Sequence, residues 1–208
     1  MSARSPRSEM AEQANHINEA MDRYAAGDDS AFDRLYALLS PRLYGFCLRL
    51  AVRRSDADDL LQETFLKVHR SRSTYVAGST ALHWAFAVAR SVHLDRLRYK
   101  KRRPEVSSET FEGGETFPQV ASELATPESE AQARELMIVV QKVLAALPES
   151  QRAAFILLKE EGLSVADAAA VLGATPMAVK LRAHRAYEAI RAALREAGAD
   201  AERQEARR

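Results

Sequence analysis

From Phe32 onward apolar residues recur at spacings of three and four, as Phe32, Leu35, Tyr36 and Leu39 and then Leu43, Phe46 and Leu50. That is the period of about 3.6 residues by which a helix buries one face. The same period returns from about Glu130 to Leu194, with Pro148, Gly162 and Gly173 marking helix ends. No stretch alternates apolar and polar residues as a strand does, so the chain reads as all-α. Between the two periodic regions, Arg103 to Thr126 holds Pro104, Gly113, Gly114 and Pro118 among Ser, Thr and Glu, a linker composition. The expected organisation is two small helical domains joined by a flexible acidic linker. It comprises a flexible extension over 1–20, a first domain over 21–103, the linker over 104–130, a second domain over 131–195 and a disordered tail over 196–208. Both ends are small and charged, without a clear apolar stripe.

Local signals sharpen the second domain. Ser164 and Asp167 have the spacing of a capping box, and Gly162 just before them can close the preceding helix. Ala168, Ala169, Val171 and Leu172 form a short helix of small apolar residues, and Gly173 supplies a sharp turn. Thr175 is a good N-cap, and Pro176 stands at the first helical position, where its missing N–H costs nothing. On the helix that follows, Val179, Ala183, Ala186 and Ile190 share one face, which predicts the core side. Met177, Lys180, Leu181, His184 and Arg185 face outward near its start. Two helices with this turn between them make a helix-turn-helix, whose second helix enters the major groove of DNA. Thr175, Pro176, Met177, Lys180, Leu181, Arg182, His184 and Arg185 are the candidate DNA contacts.

Charge supports nucleic acid only when its distribution is considered. The net charge is +1 over 208 residues, which argues for no polyanionic partner. Yet Arg90, Arg96, Arg98, Lys100, Lys101, Arg102 and Arg103 form a basic block opposed only by Asp95, and 104–130 is acidic without a Lys or Arg. The lone cysteine, Cys47, sits in an apolar stretch and reads as a buried thiol. There is no phosphate-cradling glycine loop, no partnered nucleophile, no metal-ligand set among the histidines and no cofactor motif, so an enzyme is not expected. No window of about 18 apolar residues predicts a membrane span, and the start of the chain lacks a signal-peptide core. A cytoplasmic protein is expected.

In the first domain, Ser55 reads as the N-cap of a helix running Asp56-Ala57-Asp58-Asp59-Leu60-Leu61-Gln62-Glu63-Thr64-Phe65-Leu66-Lys67-Val68. Acids in its first turn suit the helix dipole. Asp59, Gln62, Glu63 and Leu66 make one stripe, while Leu61, Phe65 and Val68 are expected to face the core. This run resembles the Asp-Ala-x-Asp-Leu-x-Gln-Glu-Thr-Phe signature of the extracytoplasmic-function sigma factors of bacterial RNA polymerase. The resemblance continues from Trp84 to Arg98, resumes at Leu147 to Arg152 and runs through the helix-turn-helix.

The resemblance implies a transcription initiation factor that binds core RNA polymerase and promoter DNA and is held in check by an anti-sigma factor. Asp59, Gln62, Glu63, Phe65 and Leu66 are then the polymerase-docking residues, meeting the clamp of the largest subunit, with the flap region as a further contact. The stretch from Trp84 to Arg98 corresponds to the helix that melts and reads the minus-ten element, and the helix-turn-helix to the reader of the minus-thirty-five element. Strand opening needs stacking partners, a pocket for a displaced base and cations for backbone phosphates. Tyr75, Ser79, Trp84, Arg90, Ser91, Arg96, Arg98, Lys100 and Lys101 are the candidates, with Tyr75 favoured over Trp84 as a stacker. Ser91, Ala81, Leu181 and Ala183 depart from the family's common residues, so promoter preference does not carry over. A monomer is expected when the chain is free. The other class the C-terminal motif allows, an operator-binding regulator independent of sigma function, leaves the Asp59 to Phe65 run unexplained.

Overall fold

A computed structural model describes residues 6–51, 53–102 and 127–205, and among these every regular element is helical. The chain divides into two compact units, Met1–Glu109 and Thr110–Arg208. The region expected as an acidic linker lies outside the described residues up to Pro127, where a helix begins.

The first unit packs four helices: α1 (Pro6–Ala25), α2 (Phe32–Ala51), α3 (Arg54–Ser71) and α4 (Ala81–Arg102). α2 lies against the other three. Its Leu35, Leu39, Leu43, Phe46 and Leu50 are fully buried, the face that the sequence spacing predicted. Phe46 meets Phe86 of α4 with ring centroids 4.7 Å apart. Tyr36 falls outside this face and is exposed. α2 runs unbroken through Pro41, whose missing N–H leaves one turn of the ladder open on an exposed side.

Two expectations about the ends are corrected. Within the extension expected to be flexible over 1–20, the described residues from Pro6 on belong to α1, whose Ile17, Ala20, Met21 and Tyr24 are buried. At the other end the last helix continues through Glu205, well past the expected start of a disordered tail at 196. A third correction is local. α3 begins two residues early, with extended Arg53 in the cap position and no side chain capping it, so Ser55 lies inside the first turn. Asp56 takes over the electrostatic role there, paired with Arg53 at 3.1 Å.

The second unit contains α5 (Pro127–Ala146), α6 (Glu149–Phe155) with a wider π turn over Ile156–Glu160, α7 (Val165–Leu172) and α8 (Pro176–Glu205). α8 is the spine, touching α5, α6 and α7. Arg152 is buried and donates to the carbonyls of Leu144 and Ala145 at 3.1 and 3.2 Å. It thereby adds a charged donor to carbonyls in the last turn of α5, where the helix ladder runs out. Burial pulls its guanidinium below its usual basicity.

Candidate functional site

The α7–α8 junction forms as its residue types dictate. Ser164 caps α7, its Oγ accepting from Asp167 N at 3.1 Å and donating to the Asp167 carboxylate at 2.5 Å. Asp167 thus closes the box on the serine hydroxyl. Gly173 ends α7 in the left-handed region at φ 56°, a conformation that costs a side-chain-bearing residue roughly 1 kcal/mol. Thr175 Oγ1 accepts from Ala178 N at 3.2 Å and starts α8.

Val179, Ala183, Ala186 and Ile190 are buried, as predicted. Thr175, Pro176, Met177, Lys180, Leu181, His184 and Arg185 are exposed, and Arg182 is half-buried at the edge of that face. Met177, 73% exposed, and Leu181 stand among the cations. A solvated basic face needs no such apolar groups, whereas a groove-reading face uses them on thymine methyls.

In the first unit the candidate acids and cations turn out to face each other. Arg96 of α4 donates to the Asp56 carbonyl at 2.9 Å and pairs with Asp59 at 3.2 Å and Glu63 at 3.6 Å. Lys100 reaches Asp56 at 3.3 Å. Burial works against the Asp56 charge, but Arg53 and Lys100 outweigh it and hold the carboxyl below the ordinary carboxylate range. In the other direction Lys67 of α3 holds Ser91 at 2.9 Å and Asp95 at 3.4 Å, and Asp95 also pairs with Arg98 at 2.7 Å. Lys67 escaped the sequence reading because its role depends on residues more than twenty positions away. Lys101 is exposed at the end of α4, and Arg90 is half-buried.

The α3 stripe sits between two grooves. Asp59, Gln62, Glu63 and Leu66 are exposed, Leu66 by 51%. On one side a groove of ≈ 740 Å³ has a floor of Tyr24, Phe32, Tyr36 and Phe65. Phe65 is 6% exposed and packs against Tyr36 with centroids 4.5 Å apart. Leu61 is half-buried on the same groove and not in the core, where Leu60 stands instead. Behind the floor, Tyr24 Oη and His69 Nδ1 hydrogen-bond at 2.5 Å, and Arg72 lies over the Tyr24 ring. On the other side a groove of ≈ 870 Å³ runs between α3 and α4, with Leu66, Val92 and Tyr99 among charged residues. Leu66 lines both.

The connection from α3 to α4 is a tight loop. Tyr75 Oη donates to the Ser79 carbonyl at 2.7 Å, Ser79 Oγ to the Val76 carbonyl at 2.6 Å, and Trp84 N to the Thr80 carbonyl at 3.1 Å. Tyr75 is only 6% exposed and stands edge-on to Trp84 at 5.5 Å. The preference for Tyr75 as a stacking surface is therefore reversed: it braces the loop from within, and half-buried Trp84 is the more open ring. Cys47 is buried beside Thr64, and desolvation pushes its thiol up to about 12.

Comparison with known proteins follows the same two-part division. The chain matches the family model for Sigma-70 region 2 over residues 35–103 and that for Sigma-70, region 4 over residues 138–190. It is 34% identical over 176 residues to the RNA polymerase sigma factor CarQ of Myxococcus xanthus, covering 85% of this chain and 96% of that one. It is 34% identical over 169 residues to the ECF RNA polymerase sigma factor SigM of Mycobacterium tuberculosis, covering 81% and 79% respectively. Among solved structures it is similar to the sigma factor RpoE bound to the anti-sigma factor NepR from Bartonella quintana. That likeness has a TM-score of 0.63 at 26% identity, over 79% of this chain and 96% of that one. The fold is also that of CnrH in complex with the cytosolic domain of CnrY, with a TM-score of 0.62 at 22% identity over 87% and 98%.

Proposed function

The chain belongs to the extracytoplasmic-function sigma factors of bacterial RNA polymerase, and from that premise we propose how its two units divide the work of an alternative sigma factor. α3 docks on core polymerase through Asp59, Gln62, Glu63 and Leu66, with Phe65 as the floor beneath them. The observation that carries this is Leu66, a large apolar side chain held exposed on an acidic stripe between two grooves. DNA would repel the acids, and bulk solvent gives no reason for the leucine. A protein surface with basic and apolar groups answers both.

Loop 76–80 with Ser79, Trp84, Arg90, Ser91, Arg96, Arg98, Lys100 and Lys101 meets the minus-ten element, Tyr75 bracing the loop. The start of α8 meets the minus-thirty-five element. Initiation chemistry belongs to the polymerase, and this chain supplies recognition and strand opening in the cytoplasm, where the polymerase is. No described helix is long and apolar enough to cross a membrane. The solved relatives were captured with NepR and with CnrY. By extension, an anti-sigma factor covers the exposed apolar positions of this chain, which is monomeric once released.

Transcription in vitro with purified core enzyme and a set of genomic promoters tests the assignment. Initiation that depends on the chain is expected, and its absence on every promoter would sink the reading. Glu63→Lys and Leu66→Asp should each weaken core binding while DNA retention through the second unit persists. Loss of both together would assign the effect to unfolding.

A further inference from the structure

The loop assigned to the minus-ten element is held in place from outside the matched region. α1 precedes residues 35–103, yet two of its polar side chains reach the loop. The carboxylate of Asp22 accepts from Gly78 N at 3.2 Å, and Oδ1 of Asn18 accepts from Ala81 N at 2.9 Å. Ala81 is the first residue of α4, so Asn18 caps that helix from another element. Gly78 sits at φ 80°, a region glycine enters freely, and the bond to its amide adds an outside restraint to the bracing that Tyr75 and Ser79 supply from within. Ile17, Ala20, Met21 and Tyr24 anchor α1 in the core, which leaves Asn18 and Asp22 as the polar pair of the same helix turned toward the loop. The loop's outer side presents Val76, 71% exposed.

We propose that Asn18 and Asp22 are positioning residues for strand opening: α1 fixes the shape in which loop 76–80 meets the minus-ten DNA. This rests on the assignment of that loop given above. A flexible loop would have to be ordered at the moment a base is captured, and a pinned one has lost that freedom beforehand.

The full chain with core polymerase and a supercoiled promoter is the system for the test, with permanganate reactivity of minus-ten thymines reporting strand opening. Asn18→Ala and Asp22→Ala should each slow opening about fivefold, the size a lost cap supports, with core affinity unchanged. Asn18→Asp, which keeps an acceptor at the α4 N-terminus, should restore opening. Asp22→Asn, of the same shape with an uncharged acceptor, should fall between wild type and Asp22→Ala, and it stands in if the alanine variant fails to fold. Amide exchange at Gly78 and Ala81 in the free chain reads the pinning directly.

Faster exchange with opening within about twofold of wild type would overturn the proposal, as would core affinity falling in step with opening. Val76→Asp separates the two layers of inference, since a charge at the loop tip repels DNA phosphates. If that variant blocks opening while the α1 variants do not, only the role of α1 falls. If it has no effect, the loop's assignment falls, and the role of α1 with it.

Discussion

Cys47 and Arg152 are both buried, and the physical consequences differ. The Cys47 thiol is pushed up to about 12 by desolvation, so the fold favours its neutral form over the unfolded chain, where cysteine titrates near about 8.5. A group whose folded pKa is raised adds stability that is complete below the unfolded value and is lost as pH climbs through the folded one. That contribution should hold through pH 8 and fade between roughly pH 9 and 12. Iodoacetamide at pH 8 should leave the native thiol unmodified and label it fully in denaturant, and rapid native labelling would contradict the burial. Arg152 is tied by the carbonyls of Leu144 and Ala145. Arg152→Met keeps most of the volume and removes both charge-assisted bonds, so it should destabilise the second unit by about 2 to 3 kcal/mol. Urea denaturation followed by circular dichroism measures it, and a loss under about 0.5 kcal/mol would show that water replaces the guanidinium at no cost.

Among the elements, α7 and the start of α8 were legible in the sequence because their determinants are local. Ser164, Asp167, Gly173 and Thr175 act on residues within one turn of themselves. α1 was missed although Ile17, Ala20, Met21 and Tyr24 carry a helical spacing, because that stripe is short and set among polar residues. The cross-helix partners of α3 and α4 were not legible at all, since faces can be read from a period but the pairing of two faces needs the packing angle. Arg96 is where this matters. It holds the carbonyl of Asp56 and the carboxylates of Asp59 and Glu63 together, so it orders the stripe proposed for docking as well as adding to the basic helix. Partly exposed pairs of this kind contribute little to stability, and Arg96→Ala should cost under about 1 kcal/mol in a thermal melt. Core affinity should nevertheless drop roughly threefold to tenfold as the acids lose their fixed geometry. Arg96→Lys should recover only part, because an ammonium cannot hold three acceptors in the plane of a guanidinium. A double-mutant cycle with Glu63→Gln isolates the coupling, and strict additivity would show that the two residues act independently.

For the molecule as a whole, a net charge of +1 conceals two surfaces with separable duties. On the roles proposed for them, the α3 stripe acts before any promoter is chosen, whereas the face of α8 acts only where a minus-thirty-five element is present. Substitutions on the two should therefore differ in the promoters they affect, not merely in severity. Leu66→Asp buries a charge in the docking interface and should abolish transcription at every promoter alike, because no promoter sequence can restore a missing polymerase. Replacing Lys180, Arg182 and Arg185 together by alanine removes three cations from the first turns of α8, and each phosphate left without its cation lowers the salt slope of binding by about 0.9. The holoenzyme carrying the triple substitution should bind a promoter with both elements with a slope shallower by roughly 2 to 3. On a template whose upstream element has been scrambled it should match wild type, with core affinity unaltered on either. Measuring promoter affinity from low to moderate salt on the two templates separates this from a general loss of charge. A slope that falls equally on both would mean that α8 holds DNA without reading it, and the recognition role would then rest with loop 76–80 and α4 alone.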